Sequence, residues 1–106
     1  MLQTILQGNL GQDAEVISIN EVEYTSFSVA VSQKTKGEKT TQWVKILHKS
    51  EHPLLSAFKK GVSVIVSGNL TAEAYTRKED NKPMVSLTVW SYYIELLSHK
   101  ENSTEN

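Results

Sequence analysis

The sequence predicts an all-β domain: five strands closing into a small barrel, with one short helix between strands 3 and 4. Three observations point there. Apolar residues recur with period two along five stretches, the mark of half-buried strands. Only the stretch from Pro53 to Gly61 carries helical spacing. The segment Ile5-Leu6-Gln7-Gly8-Asn9-Leu10 is echoed by Ile65-Val66-Ser67-Gly68-Asn69-Leu70. A glycine inside a strand pattern marks a bulge, or a corner where a sheet coils sharply. Two such corners fit a closed five-stranded barrel plugged by a helix, the OB arrangement, better than an open sheet.

Leu2–Leu6 and Ala14–Ile19 read as two halves of one bent first strand. In Thr25–Val31, Thr25, Phe27, Val29 and Val31 alternate with Ser26, Ser28 and Ala30, giving the second. Gln42–His48 is the third, with Val44 and Ile46 on one side and Trp43, Lys45 and Leu47 on the other. Pro53 suits a first helical turn, Leu54, Leu55 and Phe58 form the apolar stripe, and Gly61 fits the residue after the end. Lys59 and Lys60 sit where the helix dipole favours cations. Val62–Val66 opens the fourth strand, which continues past Gly68 through Leu70, Ala72 and Ala74. Met84–Trp90 is the fifth, with Val85, Leu87 and Val89 facing one way. A Lys-rich loop over 33–40 and a turn over Arg77–Lys82 are the remaining links. One OB domain is thus expected over 1–97, followed by a short disordered polar tail over 98–106 that lacks an apolar anchor.

The 106 residues, 39% hydrophobic and 22% charged, suffice for one modest core, and so small a chain gains stability by self-association. The absence of cysteine excludes a disulfide scaffold, a thiol nucleophile and Cys-based metal sites. No apolar run approaches the roughly 20 residues of a membrane-spanning helix. Met1 leads almost directly into Leu2-Gln3-Thr4-Ile5-Leu6 without a basic segment or cleavage site, so no signal peptide and a cytoplasmic location are expected.

Net charge is −1, which on its own argues against a polyanionic partner. Its distribution argues otherwise. Residues 1–33 hold Asp13, Glu15, Glu21 and Glu23 and no cation, while residues 34–60 hold Lys34, Lys36, Lys39, Lys45, Lys49, Lys59 and Lys60 against Glu38 and Glu51. Local field, not net charge, decides where a polyanion docks.

Catalytic chemistry finds no support. His48 and His52 straddle a strand end and a helix start, and His99 stands alone; no H-E-x-x-H motif and no nucleophile elbow occurs. Asp13 and Glu15 share a strand face, which is ordinarily a solvated pair, and Gly8 and Gly11 precede no helix that could cradle phosphate. No catalytic residue, cofactor or metal is expected.

The ordered motifs carry a resemblance. Gly8-Asn9-Leu10-Gly11-Gln12-Asp13-Ala14-Glu15-Val16 resembles the opening of the bacterial single-stranded DNA-binding proteins. Phe27-Ser28-Val29-Ala30 resembles that family's second strand, and Thr41-Gln42-Trp43 its third. Leu55–Gly61 with Val64–Leu70 resembles its helix, K-K-G turn and fourth strand. The likeness spans about residues 1–97. It implies an OB fold, sequence-tolerant binding of single-stranded DNA in replication, recombination or repair, and a homo-oligomer, dimer or tetramer, associated with the nucleoid.

The residues fit that implication. A single strand offers phosphate charge and exposed base faces, so a general binder interleaves cations with aromatics. Trp43 and Lys45 share the solvent side of a strand, a stacking platform beside a cation. Tyr75 lies past the Gly68 corner, in a position similar to a DNA-stacking aromatic near the tip of the family's fourth strand, with Arg77 and Lys78 following. Lys34, Lys36 and Lys39, with Lys49 further along, supply phosphate contacts rather than base reading. Trp90, beside Tyr92 and Tyr93, is open to two readings, an extended platform or a subunit interface.

Three departures from the family stand out. His48 and Lys49 occupy a place where many members carry an aromatic. The link 33–40 contains none. The chain reaches Asn106 without the family's Gly/Gln-rich tail and acidic tip, so no tail-mediated partner recruitment is expected, and an accessory or mobile-element copy fits better than a housekeeping one. Two alternatives share the fold: a tail-less primosomal-type protein acting through protein contacts, and an RNA-binding OB module.

Overall fold

The structure, a computed structural model, describes residues 2–97. The expected tail over 98–106 lies outside the described residues. Six strands form one sheet: β1 (Gln3–Leu10), β2 (Glu15–Ile19), β3 (Val22–Thr35), β4 (Glu38–Lys49), β5 (Ser63–Thr76) and β6 (Pro83–Leu96). They lie in the order β1-β5-β6-β4-β3-β2, and β1 meets β3 again through Asn9↔Ala30 and Leu10↔Val29. Five strands thereby close into a ring, and β2 extends it as a hairpin on β3. β4 and β6 run parallel over Val44–His48 and Leu87–Ser91; every other ladder is antiparallel.

The bent first strand resolves into β1 and β2, divided at Gly11–Ala14. The halves have separate duties: β1 pairs chiefly with β5 and closes the barrel, whereas β2 pairs only with β3. Both glycine corners occur where backbones approach too closely for a side chain. A Cβ on Gly8 would collide with the Ala30 carbonyl oxygen, and one on Gly68 would lie 2.5 Å from that of Trp90. At Gly68 the register slips: Ser67 faces Tyr93 and Gly68 faces Ser91, so Tyr92 is the extra residue of a bulge.

The core is the inner face of the ring: Phe27, Val29, Val44, Ile46, Val64, Val66 and Val89, with Phe58 inserted from the link between β4 and β5. Burying each such side chain contributes about 1.5–3 kcal/mol. The alternation at β4 holds for Val44 and Ile46 inside and for Trp43 and Lys45 outside. Leu47 also points outward, yet it is only 4% exposed. In register it lies between Ser26 and Trp90, and Tyr24 and Trp90 meet edge to face at 5.7 Å across that strand.

Three expectations need correction. The helix over Pro53–Gly61 is a single 3₁₀ turn, Leu55–Ala57. Nucleating a longer helix is costly for so few residues, and only Phe58 of the stripe reaches the core, packing on Phe27 at 5.6 Å, while Leu54 stays exposed. The link over 33–40 is not a loop. β3 and β4 continue as a ladder to Thr35↔Glu38, turned by Lys36 and Gly37 alone. Both have positive φ (54° and 83°), the geometry of a two-residue hairpin turn. Val85, expected inside with Leu87 and Val89, is exposed, because it lies on a stretch of β6 that projects beyond the barrel.

Candidate nucleic-acid interface

Two hairpin arms make the site. The β4–β6 ladder begins at Val44↔Leu87. Before that point β4 pairs only with β3, and β6 only with β5, so the β3–β4 and β5–β6 hairpins part and leave an open groove. The groove has a volume of about 600 Å³ and is lined by Trp43 and Lys45 on one bank and by Tyr75, Met84, Val85 and Ser86 on the other. Trp43 is 53% and Tyr75 50% exposed, though both are large aromatics. Of the residues singled out in the sequence, Trp43, Lys45 and Tyr75 are brought to a single surface here.

Period two places the basic residues on it. On β3, Ser28, Ala30, Ser32 and Lys34 face Lys45, Trp43, Thr41 and Lys39 of β4 in register. Lys34 and Lys39 therefore stand directly opposite each other on the same face as Trp43. Like charges in that position destabilise a sheet, and an anion held between them would relieve the repulsion. Lys36 is the exposed turn residue at the tip. Lys49 points outward on the same strand but six residues from Trp43, about 20 Å at strand rise, and it does not line the groove.

Arg77 is differently placed. It starts the turn of the β5–β6 arm, and its guanidinium donates to Asp80 through Nε (3.1 Å) and Nη2 (2.7 Å). That fork raises the guanidinium pKa and holds the Asp80 carboxyl below its usual range. Arg77, expected to be ready for phosphate, is paired with Asp80 within its own turn. Trp90 is also engaged, edge-on to Tyr24 and donating through Nε1 to Thr71 Oγ1 at 3.3 Å.

The opening motif, expected as a corner, also clasps the link that carries Phe58. Asn9 Nδ2 donates to the Gly61 carbonyl at 3.1 Å, and the Lys60 amide donates to Asp13 Oδ1 at 2.9 Å. Ala14 N–H donates to the Phe58 carbonyl. Sequence reading missed Gly11: a Cβ there would run into the six-membered ring of Trp43. The signal available was the second glycine of G-N-L-G, which no turn geometry explains, since its φ is not positive. At the far end of the β4–β6 ladder from the groove, His48 Nδ1 lies 2.9 Å from Ser91 Oγ and the His48 and His52 rings are 4.9 Å apart. Burial, and for His48 the neighbouring His52, lowers both pKa values. Among the described residues no three His, Cys, Asp or Glu side chains are grouped to hold a metal ion.

An open groove bordered by two half-exposed aromatics and by lysines is suited to holding an extended chain. Comparison with known proteins agrees. The model of the single-strand binding protein family matches residues 1–97. Among solved structures, the Plasmodium falciparum SSB in complex with ssDNA superposes with a TM-score of 0.67 at 18% identity, covering 92% of this chain and 96% of that one. The small single-stranded DNA-binding protein of Streptomyces coelicolor gives 0.64 at 15% identity, covering 91% and 94%. At such identities the likeness is one of fold. No curated protein matches by sequence.

Proposed function

The chain belongs to the single-strand binding protein family and binds single-stranded DNA, and from that premise we propose that it does so without sequence preference, as a non-catalytic protector of exposed strands in replication, recombination or repair. Bases stack on Trp43 and Tyr75, and phosphates are neutralised by Lys45, Lys34, Lys39 and Lys36. One observation carries this reading: two half-exposed aromatics line a single open groove whose floor continues onto an opposed pair of like charges. Base faces and phosphates are the two features common to every nucleotide, and these residues address those two. Arg77 joins only if a phosphate displaces Asp80.

Self-association belongs to the same proposal. β1 is laddered to β5, but along Thr4–Gln7 its other edge has no strand beside it among the described residues. An open edge next to Ile5, 74% exposed, is a template for pairing with a second copy.

Titration of the full chain with labelled poly(dT), poly(U) and duplex DNA tests the reading. Tight, salt-sensitive binding of poly(dT) with quenching of tryptophan fluorescence is the expected result. Preference for duplex would refute it. Preference for poly(U) would instead favour the RNA-binding alternative.

A further inference from the structure

We infer that Gly11 is a positioning residue for the base platform: its missing side chain is the seat on which the Trp43 indole rests. The inference rests on the stacking role proposed for Trp43. Three of the chain's glycines sit at close approaches, and they divide by what a Cβ would strike. At Gly8 it is the backbone of Ala30 together with Val29, and at Gly68 it is the backbone of Trp90 and Ser91. Adding a methyl at either position pushes one strand off another and damages the barrel.

Gly11 is different in kind. A Cβ there would lie 2.5 Å from Cζ3 and 2.8 Å from Cη2 of Trp43, with Cε3 next at 3.7 Å, and all three nearest atoms belong to that indole. Carbon atoms in contact prefer about 3.5–4.0 Å, so the ring must move by an ångström or so or turn to another rotamer. The backbone itself does not require glycine, since φ at Gly11 is not positive. Its amide is fixed, donating to the Ser28 carbonyl at 3.0 Å, so the peptide holds its place and the ring yields.

A half-exposed indole on a strand has rotamers to choose from, and stacking pre-set by a support loses less freedom on binding. Gly11 supplies the support. It ties the break between β1 and β2 to the middle of the groove, so the platform's angle is set by the corner of the barrel and not by β4 alone.

The test compares Gly11→Ala, Trp43→Ala and the double variant for affinity towards oligo(dT). Trp43 emission is read in a Trp90→Phe background, because the chain has two tryptophans. With Gly11→Ala we expect a melting temperature within a few degrees of wild type, a red-shifted Trp43 emission and a three- to tenfold weaker complex. On Trp43→Ala, adding Gly11→Ala should change affinity by less than twofold. On Trp43→Phe, whose single ring leaves room for the methyl, its cost should shrink. Wild-type affinity and emission in Gly11→Ala, with Trp43→Ala clearly weakened, would overturn the positioning role and leave the platform standing. An equal loss on both backgrounds, or unfolding on both, would show that the methyl strikes something other than the ring and would overturn it as well. If Trp43→Ala binds as wild type, the platform reading itself has failed.

Discussion

The two arms that border the groove are built alike and charged differently. Each is a long antiparallel hairpin projecting past the barrel, β3–β4 to the Lys36-Gly37 turn and β5–β6 to the Arg77–Lys82 turn. On the first, Lys34 and Lys39 oppose each other in register, Lys36 holds the tip, and among the described residues no hydrogen bond or ion pair ties down these three side chains. On the second, Arg77 is forked onto Asp80 and the Asp80 carboxylate also accepts from the Lys82 amide. The first arm keeps an uncompensated field at some cost in stability. On the second, Arg77, Lys78 and Lys82 are matched in number by Glu73, Glu79 and Asp80, Arg77 orders its own turn, and the arm contributes an aromatic. Net positive charge is thus concentrated on the first arm, while each arm contributes one ring, Trp43 standing with Lys45 at the junction and Tyr75 on the second arm.

The sharpest way to break this division is at the junction. Trp43→Ala should weaken poly(dT) binding by about 1–3 kcal/mol, roughly the value of one base–aromatic stack, while the melting temperature changes little, since Trp43 is half exposed. The fluorescence quench on DNA binding should fall with it. A folded Trp43→Ala protein with wild-type affinity would mean that the arms act by charge alone.

The next test strips the first arm. Replacing Lys34, Lys36 and Lys39 by Gln should flatten the plot of log affinity against log salt by up to about two units, at about 0.7 per phosphate contact. The same change removes the Lys34–Lys39 repulsion, so the protein should also become slightly more stable to heat. Loss of affinity without a change of slope would show that the lysines serve the shape of the arm and not phosphate.

Much of this was legible in the sequence because a strand's period is short. Val44 and Ile46 against Trp43 and Lys45 is a local pattern, and it assigns faces without knowledge of partners. The echoed glycines likewise announced two corners. What could not be read were properties requiring a partner far along the chain. Leu47 obeys the alternation yet is covered, because Tyr24 and Trp90 meet across its strand. The 33–40 link was polar enough to resemble a loop, and only the register through Thr35↔Glu38 makes it an arm. Arg77 and Asp80 are three residues apart, close enough for the pairing to have been foreseen from spacing. Gly11 needed Trp43, 32 residues on, to acquire its meaning.

The end of the β4–β6 ladder away from the groove offers a test in which fold and binding separate. His48 on β4 reaches Ser91 on β6, and His52 Nδ1 accepts the Leu54 amide at 3.0 Å. Burial lowers the pKa of both, with the charge of His52 adding to the effect on His48. A pKa lower in the folded than in the unfolded chain means that the unfolded state takes up protons first. Stability from these groups is therefore complete above about pH 6.5, the ordinary histidine value, and is lost as pH falls from there through the folded values. Protonated His52 can no longer accept from Leu54 through Nδ1. The melting temperature should drop between pH 7.5 and 5.5, and His48→Gln with His52→Gln should flatten that drop. The salt slope for DNA should be the same at both pH values, because neither histidine lines the groove. A slope that steepens at pH 5.5 would place them on the phosphate path instead.

The smallest effect is expected from the second arm. Asp80→Asn removes the charge that neutralises Arg77 but keeps a side-chain oxygen that can still accept from the Lys82 amide, so the turn retains that bond. The pair is exposed on both sides, and exposed ion pairs contribute little to stability, so the fold should tolerate the change. A freed guanidinium adds one phosphate contact, so the salt slope should steepen by about 0.7 and affinity at low salt should rise about twofold to fivefold. The gain should vanish when Arg77→Gln is added, which ties it to that guanidinium and not to a general loss of negative charge. No gain in Asp80→Asn would mean that the strand does not reach the tip of the β5–β6 arm. The groove would then end at Tyr75, with the opposed lysines on the first arm as its main source of phosphate contacts and the second arm contributing its ring.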